Sequence, residues 1–171
     1  MLVIAGCAST KITDRDELVT GKIPRPNTIW VHDFAATSSD VPAESALAGQ
    51  DLEHSTPQTA KEIAMGRQLG DEIASQLIEQ INGMGMSAER ASAGTTPQIN
   101  DIVIQGYLIS FNAGSAVKRI AIGFGSGASD LKVAAEGFQM TAQGLRKLGS
   151  GSADAEGGKT PGADLGVLGL I

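Results

Sequence analysis

The residues best placed to do chemistry lie in Arg119-Ile-Ala-Ile-Gly123-Phe-Gly125-Ser-Gly127-Ala128. Gly123, Gly125 and Ala128 have the G-x-G-x-x-A spacing with which backbone N–H groups cradle a pyrophosphate at a helix N-terminus. Arg119, after Lys118, is a candidate contact for an acidic partner or simply a solvated edge. Three features weigh against a nucleotide. The acidic residue that should follow about 20 positions on is missing, since Glu136 comes too early. No Gly-Lys-Ser/Thr follows, which excludes a triphosphate P-loop. Leu131, Val133, Ala135 and Gly137 then alternate as a strand does, not as a helix. The simpler reading is a glycine corner with positive φ at Gly123, Gly125 and Gly127; a small-ligand or nucleotide-binding loop is the alternative. His32 and His54 have no partner at metal-ligating spacing, and Ser126 lacks the setting of a nucleophile elbow. His32 beside Asp33 has the composition of a base with its orienting carboxylate, yet neighbours on a strand point to opposite faces. No catalytic residue, metal or cofactor is implied.

Cys7 is the lone cysteine, which excludes an internal disulfide and a thiolate zinc cluster. It closes the apolar run Met1-Leu-Val-Ile-Ala-Gly-Cys7, and Ile4-Ala5-Gly6-Cys7 resembles the lipobox of bacterial lipoproteins. Small residues at Ala5 and Gly6 let a peptidase seat the extended backbone, and the Cys7 thiol becomes a diacylglyceryl thioether. Several acyl chains, each buried methylene contributing ~0.8 kcal/mol, anchor far better than one. Six residues before the cysteine are fewer than a secretory signal uses, so the start of the gene product is expected upstream of Met1. Ala8, where an Asp would favour inner-membrane retention, points to an outer-membrane anchor facing the periplasm.

The elements that must carry these residues can be read from composition and periodicity. The chain has 171 residues, 13 basic and 19 acidic, for a net charge of −6. That balance argues against nucleic-acid binding, which requires concentrated Lys and Arg, while 42% apolar with 19% charged suits one globular domain. Glycine is frequent, at 22 residues, and aromatics reach only 4%, so Ile, Leu, Val and Ala must form the core with close backbone contacts. Residues 1–7 read as the end of a signal segment, 8–27 as a polar tether, 28–148 as an α/β domain and 149–171 as a Gly-rich loop with a truncated apolar element.

Within the domain, Thr28–Phe34 is expected as a central strand, with Ile29 and Val31 on one face and Trp30, His32 and Phe34 on the other. Residues 35–55 lack periodicity and read as a mobile loop. Thr56 as N-cap and Pro57 at the first helical position open a long helix ending near Gly83 and Gly85. Its apolar stripe is Ile63, Ile73, Leu77, Ile81 and Met84, and Gly66, Gly70 and Ala74 share one face, where they predict close approach of the helix backbone to a sheet. A short strand is expected within 86–91 and a long one over 99–112, in which Gly106 should mark a bulge or a tight approach. The segment from Gly144 to Pro161 reads as an exposed loop. The sum is an α/β (α+β) fold, a small mixed sheet packed by one long amphipathic helix with Gly-rich loops.

Ala64-Met-Gly-Arg-Gln-Leu-Gly70, Asn100-Asp-Ile-Val-Ile-Gln-Gly-Tyr107, the Arg119–Ala128 segment and Glu136-Gly-Phe-Gln-Met-Thr-Ala-Gln-Gly-Leu-Arg-Lys-Leu148, with the lipobox, resemble the bacterial lipoproteins grouped as domain of unknown function 4410. That resemblance implies a further Gly-rich apolar hairpin and a C-terminal helix after Ile171, and it supplies no activity. More distantly, Ile29-Trp-Val-His-Asp-Phe34 followed by a helix is similar to the periplasmic domains of the curli-secretion and penicillin-binding-protein-activator lipoproteins, which share a small α/β fold. The expectation is a non-enzymatic protein, held to the membrane by its lipid, whose loops or sheet edge bind another protein or a second copy. A homo-oligomeric ring or pore is a further expectation from the curli likeness and the apolar terminal run.

Overall fold

In the computed structural model, residues 9–19, 21–42, 45, 58–111 and 131–156 are described. One helix, α1 (Ala60–Gly83), packs on a six-stranded mixed sheet of β1 (Ser9–Glu17), β2 (Ile29–Val31), β3 (Ala88–Arg90), β4 (Ile102–Phe111), β5 (Leu131–Thr141) and β6 (Gly144–Glu156). The order across the sheet is β1-β6-β5-β4-β2-β3. Parallel pairing joins β2 to both β3 and β4, and the remaining pairs are antiparallel. The expected fold class is therefore observed.

The helix buries Gly66, Leu69, Gly70, Ile73, Ala74, Leu77 and Ile81, a 3–4 spacing that keeps one face on the core formed by Ile29, Val31, Ile102, Ile104, Leu108, Val133 and Leu148. Met84, expected in that stripe, is 53% exposed, because it stands one residue past the end of α1 as its C-cap. The N-cap is Thr59, not Thr56. Glu62 three residues on completes a capping box, with Thr59 Oγ1 accepting from Glu62 N at 3.2 Å and Glu62 Oε2 accepting from Thr59 N at 2.7 Å. Thr56 and Pro57 lie outside the described residues.

The close approach that the small residues predict is realised. A Cβ on Gly70 would overlap the carbonyl oxygen of Phe34, and one on Gly66 would come 2.9 Å from Ala36 Cβ. Gly106 serves the same end from the sheet side, where a Cβ would overlap the edge of the Phe34 ring, 2.6 Å from Cζ. The bulge in β4 lies elsewhere, between Leu108 and Ser110. It turns Phe111 toward the helix, where its ring lies beside Gly66 and packs on the core.

Phe34 is a further correction. Strand β2 is only three residues long, and Ala35 then bridges to Tyr107, one residue out of step with the Val31–Ile104 pairing. That slip puts Phe34 in the core with Ile29 and Val31, not on the face of Trp30.

Two segments read as polar coil are strands. Ser9–Glu17, within the expected tether, pairs antiparallel with β6, and Gly144–Glu156, within the expected loop, pairs with β5 and β1 along both edges. The physical reason is that β6 is a Gly, Ser and Ala strand with hydrogen-bonded neighbours on each side. It supplies backbone ladder where it contributes little side chain, and among its described side chains Leu148 and Ala153 join the core.

After β2 the chain makes a 3-10 turn, Ser38–Asp40, clamped to α1 by a bidentate ion pair. Arg67 Nε donates to Asp40 Oδ2 at 3.1 Å and Nη2 to Oδ1 at 2.7 Å. Burial alone would raise the Asp40 pKa, but the hydrogen bonds from Arg67 and Thr37 outweigh it and hold the carboxyl below its ordinary value. The Thr59 backbone N–H and hydroxyl lower that of Glu62 likewise. Because both are depressed in the folded state, the stability they contribute is present above the ordinary carboxylate range and is lost as pH falls through the folded values. Thermal melts in progressively stronger acid should therefore show a falling midpoint, and the fall should be shallower in an Arg67→Ala, Glu62→Gln variant. At neutral pH, Thr59→Ala should cost about 1 kcal/mol in a urea titration.

Candidate functional site

The sheet face turned away from α1 holds the least ordinary chemistry among the described residues. On this face the register sets Val103 against Phe138, Gln105 against Glu136 and Tyr107 against Ala134, and all six are buried. Four suit a core, while Gln105 and Glu136 do not. Glu136, 1% exposed, accepts a hydrogen bond from Ser45 Oγ and an ionic one from Lys147 Nζ at 2.7 Å. Ser45 arrives from the segment that follows the 3-10 turn and Lys147 from β6, so Glu136 joins three parts of the chain. Gln105, 3% exposed, has no hydrogen-bond partner at either Nε2 or Oε1. Gln139 on β5 makes the contrast: its Nε2 donates to Asn100 Oδ1 at 3.0 Å and its Oε1 accepts from Arg146.

Two other polar clusters are structural. Asp101, 2% exposed, accepts from Thr28 N at 3.2 Å, Trp30 Nε1 at 3.0 Å and Gln98 N at 2.8 Å, tying the start of β2 to the start of β4. Arg90 at the end of β3 bonds Asp33, the Asp71 carbonyl and Ser75, locking the sheet edge to α1. The Asp33 carboxylate is thus engaged by Arg90 rather than standing free to orient a base at His32.

Among the described residues no group of three His, Cys, Asp or Glu side chains is placed to hold a metal, and no helix is long and apolar enough to cross a membrane. Cys7, His54, Arg119, Gly123, Gly125, Ser126 and Gly127 lie outside the described residues. The strands do show where those segments join the sheet. Ser9 pairs with Glu156, Leu131 with Ala155 and Phe111 with Leu131, so residues 1–8, 112–130 and 157–171 all connect at one end. In the sequence Glu136 stands out only as an acidic residue too early for the glycine fingerprint, and Gln105 does not stand out at all. The available signal was a polar residue at an inward position of an otherwise apolar strand.

A mixed sheet with one covering helix and a buried polar seam on its other face is the class of domain these features define. The sequence matches a family model described as Domain of unknown function (DUF4410) over residues 29–165, and the chain belongs to that family. No curated protein matches it. Among solved structures it is similar to a PelC dodecamer from Paraburkholderia phytofirmans, at 12% identity and a TM-score of 0.46, covering 87% of this chain and 81% of that one.

Proposed function

We propose that this protein is a lipid-anchored bacterial envelope protein, held at the outer membrane and facing the periplasm, whose folded domain is a non-enzymatic module that binds a protein partner or a second copy. The observation that carries the reading is Cys7 in Ile4-Ala5-Gly6-Cys7, two residues ahead of Ser9, where β1 begins. Two residues span on the order of 7 Å at most. An acylated Cys7 therefore brings the sheet end that it joins close against the bilayer and leaves no room for a long tether.

Other features agree with this orientation. The segment that contains Arg119, Ile120, Ile122 and Phe124 joins the sheet at the same end, and basic and apolar residues together suit a bilayer surface. At the opposite end Leu18, which follows β1, Met84, which caps α1, and Ile99, which precedes β4, are large, apolar and exposed, and face away from the anchor. Metabolic labelling with radioactive palmitate tests the anchor. Label is expected on the full gene product and lost in Cys7→Ser; an unlabelled product, or label that survives the substitution, removes the reading.

A further inference from the structure

We propose that Gln105 and Glu136 hold an internal water molecule between them, on the sheet face opposite α1. A buried carboxamide with neither atom bonded loses the desolvation cost of a donor and an acceptor together, and native proteins rarely leave such groups unsatisfied. Gln105 is in that position, 3% exposed with Nε2 and Oε1 both unpartnered. Its register partner is Glu136, whose carboxylate oxygens have lone pairs beyond those used by Ser45 and Lys147.

Side chains of register partners on one face leave Cβ atoms about 4.5–5.5 Å apart. The two side chains start side by side on one face, and the Gln105 carboxamide makes no direct hydrogen bond to the carboxylate. One water fits that relation: it accepts from Gln105 Nε2, donates to Gln105 Oε1, and turns its second hydrogen to the Glu136 carboxylate. Those three bonds are the usual complement of a buried water. They give both polar atoms of the carboxamide a partner and extend the Ser45–Glu136–Lys147 network across to β4. Val103, Tyr107 and Phe138, all buried, flank the pair on the same two strands.

Oxygen-17 relaxation dispersion of the solvent, recorded on the intact protein and on Gln105→Met, tests the proposal. The wild type should hold one more long-lived water than the variant, and the variant should melt lower by about 2–4 °C, as loss of roughly one hydrogen bond's worth of stability predicts. Equal dispersion amplitudes would overturn it. So would a rise in melting temperature, which is what relief of a truly orphaned amide produces. Should Gln105→Met fail to fold, a high-resolution crystal structure of the wild type decides. A solvent peak within hydrogen-bond distance of both side chains upholds the proposal, and an empty space or an organic molecule there ends it.

Discussion

Gly70→Ala is expected to cost ~3–5 kcal/mol, a large share of the 5–15 kcal/mol typical of a native domain. A Cβ at this position would land on the carbonyl oxygen of Phe34 with the carbonyl carbon 2.9 Å away. The obstacle is backbone, which cannot swing aside as a side-chain tip does. Phe34 is also tied to this point by its own N–H, which donates to the Gly70 carbonyl at 3.3 Å, and by its ring against Gly106. Relief would require α1 to lift from the sheet and open the core. The same substitution at Gly83 is the control. Nothing lies within 4 Å of a Cβ there, so the helical preference of alanine should make Gly83→Ala neutral or stabilising by up to about 1 kcal/mol. Gly66, whose obstacles are side-chain atoms of Ala36 and Phe111, should fall between. Urea titrations of the three variants give the ranking, and a Gly70→Ala protein as stable as the wild type would show that the helix does not sit as closely as described.

Asp101→Ala should rank next, with a loss of ~3–4 kcal/mol. It takes the buried carboxylate from the Trp30 indole N–H and the backbone N–H groups of Thr28 and Gln98, which are partly buried around it. Bonds to a charged acceptor contribute more than neutral ones, and the three do not add fully because they share one carboxylate. Asp101→Asn keeps one oxygen acceptor but points an NH2 at a donor, so about 1–2 kcal/mol is expected. Trp30 is the only tryptophan, and its emission reports the loss directly. Both the unfolding midpoint and the native spectrum should change in Asp101→Ala. A variant within 1 kcal/mol of wild type by denaturant titration, with an unchanged spectrum, would mean that water replaces the carboxylate without penalty.

The helix, β4 and β5 were legible because each carries a strong apolar period: Leu69, Ile73, Leu77 and Ile81 for α1, and runs of Ile, Val, Leu and Ala for the two strands. Thr59 with Glu62 was equally available as a capping box, and the choice of Thr56 followed from the attraction of Pro57. Strands β1 and β6 were not legible, since Ser, Gly, Asp and Lys carry no apolar alternation and their order comes from backbone pairing with distant neighbours. The face of Phe34, and the turn of Phe111 toward α1, escape simple alternation for a single reason. Alternation assumes a steady two-residue period, and a bulge that adds one residue reverses every side chain beyond it.

Of the candidate site, Gln105 and Glu136 were visible as letters but not as a pair, because 31 positions of sequence separate partners that the sheet sets side by side. The residues by themselves determined the mixed α/β class, the single long helix and the need for small residues where that helix meets its neighbour. Tertiary structure alone decided that a polar, glycine-rich stretch becomes an inner strand, which aromatic rings turn toward α1, and that a carboxamide and a carboxylate share one buried face. The division follows from range. Periodicity and capping are properties of neighbours a few residues apart, whereas register, bulges and cross-strand pairs arise only when segments far apart in the chain compete for the same hydrogen bonds and the same core volume.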